Sequence, residues 1–269
     1  MEEEDAMREL RKVGLLLRDE EQVYPLDGMR AIFAERGIAT VLLDPEDEGP
    51  ADLDLVVAMG GDGTVLRALD LFHRCPVLAI NFGTVGFLTA GDSKDLEQIV
   101  GRVMEGEFIV SERLVLNCNY PDGSLRAINE VSLRTISHLS YIDVFVNDTK
   151  IRTIVGDGVV VGTPTGSTAF MLSTGAPIVM PDVRCMVLDG INEYNFSSRA
   201  LILTPDSRVR LHVSPETRGR DIWLIVDGRQ VRRLEPEQEI HIEQAPFTAK
   251  LIYLEQNFFF RNLSSKLSW

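Results

Sequence analysis

The stretch Leu53–Thr64, LDLVVAMGGDGT, decides the fold. Leu53–Met59 reads as a buried strand, Gly60-Gly61-Asp62-Gly63-Thr64 follows at once, and Val65–Phe72 then reads as a helix. Upstream, Val13–Leu17 (VGLLL) and Thr40–Leu43 read as further strands. Between them Leu26–Arg36 carries apolar residues at helical spacing and ends at Gly37, a suitable C-cap. Downstream, Val77–Ile80 is a fourth strand. Ser93–Met104 is a helix with Ser93 as N-cap and Leu96, Ile99, Val100 and Val103 on one face. Strands alternating with helices imply an open, parallel α/β sheet.

The pattern changes near Phe108. From there to Leu254, short runs rich in Val, Ile, Leu and Thr are separated by turn signals: Pro121-Asp122-Gly123, Asn147-Asp148 and Asp227-Gly228. The expected organisation is therefore α/β over residues 1–107 and β-rich over 108–254, with no long linker between them. The tail Phe258–Trp269 is aromatic and then basic, and is expected to dock on a domain or to complete an oligomer contact.

A chain of 269 residues can bury a core without disulfides or metals. Its 27 Lys and Arg against 41 Asp and Glu give a net charge of −14, which argues against a nucleic-acid or anionic-membrane partner. Cys75, Cys118 and Cys185 are odd in number and widely spaced, so neither a zinc site nor a disulfide framework is suggested, and a reducing, cytoplasmic location is expected. The acidic start, MEEEDAMREL, is unlike a signal peptide, and no apolar run approaches the roughly 18 residues of a membrane span. His73, His138, His212 and His241 fall in no metal-type spacing and read as structural or surface residues.

An acidic protein that binds anions must do so locally. Gly60, Gly61 and Gly63 let the backbone approach a ligand and take positive φ, and the helix that follows presents unpaired N–H groups to a phosphate. With Thr64 these glycines are the candidate donor-phosphate residues. Asp62 stands out, because a carboxylate beside phosphate is repulsive unless it takes a proton or holds a metal; it is a candidate general base, or a metal partner through water. The plainer alternative is a glycine turn with Asp62 as helix N-cap. Neither a Walker A loop nor a Rossmann Gly-x-Gly-x-x-Gly is present at this strand–helix junction.

A second dense segment, Gly156-Asp157-Gly158, Val159–Val161 and Gly162–Phe170, brings four hydroxyls and two glycines into one turn after a short apolar strand. Hydroxyls and exposed N–H groups suit ribose, phosphate and purine edges, whereas an isolated turn of this kind would be a set of local caps. Asn129-Glu130, within the strand-like Ala127–Leu133, is weak by itself. Asn81-Phe82-Gly83 with Gly86-Phe87-Leu88 closes the fourth strand, at the end where parallel sheets hold ligands.

In this order the segments Gly60–Thr64, Asn81–Thr89, Asn129-Glu130, Asp157–Phe170, Ser173–Pro177 and Asp227-Gly228 resemble those of the NAD kinases, which phosphorylate NAD to NADP. The resemblance implies a Rossmann-like N-terminal domain followed by a β-sandwich-like domain, with NAD between them and the tail returning to the first. It implies that Asp62 takes the proton of the adenosine ribose 2′-hydroxyl and that Asn129 and Thr165 face the adenine end. Glu130, Asp157, Thr168, Ala169, Phe170 and Ser173 would line the rest of the dinucleotide site, with Asn81 and Asp227 as lesser members. It further implies ATP or polyphosphate as donor, a divalent cation, magnesium being the expected one, and a homodimer or homotetramer.

The chain departs from that pattern at Phe170, where a Tyr is common, at Ala176 in place of a Gly, and over Val187–Leu203, which lacks a Pro-His-Ser-Leu run. Two rivals stay open on the sequence: a lipid-type kinase sharing the Gly-Gly-Asp-Gly loop, and a non-catalytic dinucleotide-binding regulator.

Overall fold

The computed structural model describes residues 10–17, 23–81, 86–195, 198–217 and 221–267. The acidic start 1–9, Phe82-Gly83 and the end of the tail, Ser268-Trp269, lie outside the described residues. Two compact units emerge, one within Met1–Glu112 and Ala249–Trp269, the other within Arg113–Thr248.

The first unit runs β1 (Lys12–Leu17), α1 (Val23–Ala34), β2 (Ala39–Leu43), β3 (Leu55–Met59), α2 (Asp62–Leu71), β4 (Val77–Asn81), β5 (Gly91–Asp92) and α3 (Leu96–Met104). Its strands pair in parallel in the order β2-β1-β3-β4, with β5 on the end of β4. β3 and β4 are buried at every position, because helices cover both faces. On one face Val57, Met59, Leu78 and Ile80 meet Met29 and Phe33 of α1 and Ile99, Val100 and Val103 of α3. α2 packs against β3 and β4.

Two helix ends differ from the sequence expectation. α1 stops at Ala34, two residues before Arg36; Gly37 takes φ +72° and its N–H donates to the Ala34 carbonyl at 3.0 Å, capping the helix as a glycine can. Ser93 is not the N-cap of α3: that position is Asp95, which makes no side-chain cap bond, and the Asp92 carboxylate caps the turn before it, accepting from the Lys94 N–H at 3.0 Å. Asp92 has extended backbone one position before Ser93, and a short 3-10 turn, Ser93–Asp95, leads into the helix.

The second unit is built from β6 (Ile109–Tyr120), β7 (Gly123–Ala127), β8 (Glu130–Arg134), β9 (Ser140–Val146), β10 (Thr149–Gly156), β11 (Gly158–Gly162), β12 (Met186–Ile191), β13 (Leu201–Leu203), β14 (Val209–Val213), β15 (Ile222–Val226), β16 (Arg229–Leu234) and the start of β17 (Glu239–Tyr253). One antiparallel sheet has the order β13-β12-β11-β8-β15-β16; the other holds β10, β9, β14, β17, β6 and β7. Alternate residues of both, among them Leu116, Val131, Val159, Val161, Leu211, Leu224 and Ile240, share one apolar core, so the unit is a sandwich. The turn signals are tight hairpins: Asn147 and Asp148 have φ 50° and 65°, Asp227 and Gly228 46° and 75°.

The stretch Ala127–Leu133 is not one strand. It bends at Ile128-Asn129, where the chain leaves β7 for β8 in the other sheet. β11 is covered on both sides: Val159 and Val161 face the sandwich core, while Val160 meets Met171, Ala176 and Val187. The hydroxyl-rich segment after β11 is thereby packed against the sheet.

β17 starts in the second unit, pairing antiparallel with β14, and ends in the first, where Leu251 and Ile252 pair in parallel with Val77 and Leu78 of β4. α4 (Phe258–Leu267) then buries Asn262 and Leu263 in the first unit. No helix among the described residues is long and apolar enough to cross a membrane.

Candidate functional site

In the first unit the glycine loop joins β3 to α2. Gly60 donates its N–H to the Ile80 carbonyl at 2.9 Å, which ties the loop to the end of β4. The expectation of positive φ at these glycines is not met: among the described residues, left-handed φ occurs at six other glycines. What the loop uses is the missing Cβ. At Gly60 a Cβ would lie 2.5 Å from Thr64 Oγ1, whereas at Gly61 and Gly63 it would meet nothing within 4 Å. The backbone therefore closes tightly against Thr64 and stays open at Gly61 and Gly63, at the N-terminus of α2, where an anion is favoured.

Asp62 is the first residue of α2, and the N-cap is Gly61. The Asp62 carboxylate instead reaches across to the chain after β4, accepting from the Phe87 N–H at 2.9 Å and the Leu88 N–H at 3.0 Å. Gly86 makes room for it, since a Cβ there would lie 2.0 Å from Asp62 Oδ1. The turn is held by the Gly86 N–H donating to Thr89 Oγ1 at 3.2 Å, and Asn262 Nδ2 donates to the Phe87 carbonyl at 3.0 Å. Asn81, at the end of β4, is buried. A carboxylate has about four lone-pair directions, so two amide bonds fix Asp62 in place and leave it able to accept a further proton.

In the second unit the centre is the bend at Asn129. The Asp227 carboxylate accepts from the N–H groups of Ile128 (2.9 Å), Asn129 (2.8 Å) and Glu130 (3.1 Å), and its own N–H donates to the Glu130 carbonyl. Asp227 thus clamps the bend through the backbone. Burial pushes its carboxyl upward, against the three amides that pull it down. From the other side the Thr163 N–H donates to the Asn129 carbonyl and the Thr163 hydroxyl to the Ile128 carbonyl at 2.6 Å. Gly166 packs directly on the bend: a Cβ there would lie 2.2 Å from the Asn129 carbonyl oxygen.

Glu130, the first residue of β8, is buried, and burial pushes its carboxyl up to about 8, with nearby Asp227 adding to the effect and Arg134 and the Phe170 amide opposing it. Its Oε2 has no hydrogen-bond partner. Phe170 lies under the Arg134 guanidinium, 4.2 Å from ring centre to Cζ, a cation–π contact that holds the ring without a hydroxyl.

Thr165 is buried, and its hydroxyl accepts from Arg113 at 3.4 Å. The Thr168 and Ser173 hydroxyls bond within their own 3-10 turns, to the carbonyls of Thr165 and Phe170, with Ala169 at the junction of the two turns. Asp157 stands apart from the bend, between β10 and β11, where its carboxylate accepts from Asn192 Nδ2 at 2.7 Å.

The second unit thus gathers Asn129, Glu130, Thr165, Phe170 and Asp227, and leaves Asp157 to a separate contact. Sequence reasoning missed Arg113, Arg134 and Asn262. Each acts across at least 36 residues of chain, on Thr165, Phe170 and Phe87, so no local pattern marks it.

The two units match the two parts of one known architecture. A family model described as the ATP-NAD kinase N-terminal domain matches residues 11–108, and one described as the ATP-NAD kinase C-terminal domain matches residues 128–254. The chain is 34% identical over 224 residues to an NAD kinase of Caldanaerobacter subterraneus, covering 80% of this chain and 78% of the relative. It is 35% identical over 229 residues to an NAD kinase of Porphyromonas gingivalis, covering 83% and 78%. Among solved structures, yeast NADH kinase complexed with NADH superposes with a TM-score of 0.84 at 23% identity, covering 98% of this chain and 89% of the other. An NAD kinase from Archaeoglobus fulgidus in complex with ATP does so at 0.80 and 24% identity, covering 96% and 98%. With both of its units matched and its relatives aligned over most of their length, the chain belongs to the ATP-NAD kinase family.

Proposed function

We propose that the protein transfers the terminal phosphoryl group of ATP to the 2′-hydroxyl of the adenosine ribose of NAD, giving NADP and ADP, with Asp62 as general base. The observation that carries the assignment is the Asp62 carboxylate, fixed by the amides of Phe87 and Leu88 beside the open backbone of Gly61 and Gly63. In this reading Asp62 accepts the hydroxyl proton as the ribose oxygen bonds to the γ-phosphorus and the bond to the ADP oxygen breaks. Phosphoryl transfer is chiefly positioning and charge stabilisation, so one oriented base at a helix N-terminus suits it. The relatives named NAD kinase and the structures solved with NADH and with ATP support these substrates.

The residues offer no cage for a resident cation: among those described, no three His, Cys, Asp or Glu side chains gather as a metal-binding group. In this reading the donor is magnesium–ATP, and the ion enters on its phosphates. Asn129, Thr165 and Glu130 are assigned to the NAD side, on a bend that Asp227, Thr163 and Gly166 hold rigid.

The test is Asp62→Asn, which keeps the side chain's size and removes its basicity. Turnover is expected to fall by about a hundredfold or more, with NAD binding by calorimetry within about threefold of the parent. Near-parental turnover would remove Asp62 from its role, and NAD binding by the parent without NADP formation would favour a regulator. A panel of ATP and polyphosphate against NAD and NADH fixes donor and acceptor.

A further inference from the structure

The contacts of Asp62 continue into the tail of the chain. Its carboxylate is held by two amides of the turn 86–88, and that turn is held in three ways. Thr89 caps it through the Gly86 N–H, Asp62 itself binds it, and Asn262 Nδ2 donates to the carbonyl of Phe87 at 3.0 Å, 175 residues away in sequence. The Phe87 carbonyl and the Leu88 N–H belong to one planar peptide: its C=O accepts from Asn262, and its N–H donates to Asp62 Oδ1. Asn262 is 6% exposed on α4, in a helix whose neighbouring Arg261 and Ser264 are exposed. A buried amide side chain at this point has a stability cost unless it is bonded, and its bond here goes to the peptide whose N–H, that of Leu88, holds Asp62 Oδ1.

We infer that Asn262 is a positioning residue for the phosphoryl transfer, setting the orientation of Asp62 through the Phe87–Leu88 peptide; the inference rests on the reading of Asp62 as general base. A general base must sit within hydrogen-bond reach of the proton it takes, and a displacement of about 1 Å is enough to cost about a hundredfold in rate. Losing the Asn262 donor frees the Phe87 carbonyl, lets the Phe87–Leu88 peptide rotate and loosens the Leu88 N–H in that same plane, which aims the carboxylate through Oδ1. Substrate-holding groups elsewhere are untouched, so the effect falls on kcat and not on KM.

The experiment compares Asn262→Asp, of the same shape but a repelling acceptor, and Asn262→Ala, which removes the group. Asn262 also lines a cavity of about 560 Å³ with Thr89, Arg102 and Lys266, so the truncation opens onto existing space and keeps the inference testable if the Asp variant is unstable. Both are expected to lower kcat by about tenfold to a hundredfold, with KM for NAD and ATP within about threefold. Deuterium exchange of the peptide spanning residues 86–90 is expected to quicken, while exchange in β3 is unchanged. Asp62→Asn is assayed alongside. Parental kcat and exchange in both Asn262 variants, with Asp62→Asn inactive, would overturn the positioning role alone. Full turnover in Asp62→Asn would overturn the general-base reading and with it the route from Asn262. A rise in KM equal to the fall in kcat/KM, with unchanged exchange, would make Asn262 merely structural.

Discussion

Glu130→Gln removes a titratable proton from the second unit while keeping the side chain's shape. In the folded protein burial and Asp227 raise the Glu130 carboxyl from 4.5 to about 8. Unfolded, it returns to its ordinary value, so between pH 4.5 and 8 the folded state holds a proton that the unfolded state has released. Stability from this group is complete below the unfolded value and is lost as pH rises through the folded one, at about 1.4 kcal/mol per pH unit. From about pH 5.5 to about pH 7.5 the parent should therefore lose about 2–3 kcal/mol that Glu130→Gln does not. Urea denaturation of both proteins without ligands at several pH values measures the difference. The variant is expected to match the parent near the acid end and to exceed it near the alkaline end. Parallel profiles, within about 0.5 kcal/mol over the range, would show that Glu130 is ionised in the folded protein and refute the reasoning.

Other outcomes follow from the glycines and thiols. Gly86→Ala places a Cβ 2.0 Å from Asp62 Oδ1 and must push the carboxylate off its two amides, so kcat is expected to fall with little change in the melting temperature; initial rates and a thermal melt check this. Gly166→Ala places a Cβ 2.2 Å from the Asn129 carbonyl oxygen, which is backbone and cannot swing aside. About 1–3 kcal/mol of destabilisation in urea and a raised KM for NAD are expected. Burial raises the thiols of Cys75 to about 11 and Cys118 to about 12, and raises Cys185 as well. A colorimetric thiol reagent at mildly alkaline pH should find none of the three reactive in the native protein and all three after denaturation.

Much of the fold was legible because it was local. The apolar run before Gly60 marks a strand covered on both faces, and Asn147-Asp148 and Asp227-Gly228 mark hairpins by a rule of backbone sterics. The bend at Ile128-Asn129 was not legible: Ala127–Leu133 reads as one strand-like stretch, and only the partners of β7 and β8 divide it. The site shows the same division. The glycine loop announces an anion cradle, yet its glycines serve by lacking a Cβ and not by positive φ. Asp227 reads as a turn residue and is one, but its clamp on Asn129 spans 98 residues and leaves no mark in either segment. Asp62, Phe87 and Asn262 lie far apart in sequence, and hydrogen bonds to main-chain atoms constrain no side-chain pattern at the Phe87 end.

β17 also fixes an order of events. The first unit is assembled from both ends of the chain: Leu251 and Ile252 flank β4, and Asn262 reaches the Phe87 turn. When the ribosome has made the first 112 residues, the β4 edge that will receive β17 is still bare and the Asp62 turn lacks its support from α4. The second unit has nearly all its strands before the first can close, so folding during synthesis should run from the middle of the chain outward. A nascent chain halted before Ala249 would hold the glycine loop and Asp62 in sequence but not the finished mould around them, which makes phosphoryl transfer a property acquired only at the last helix.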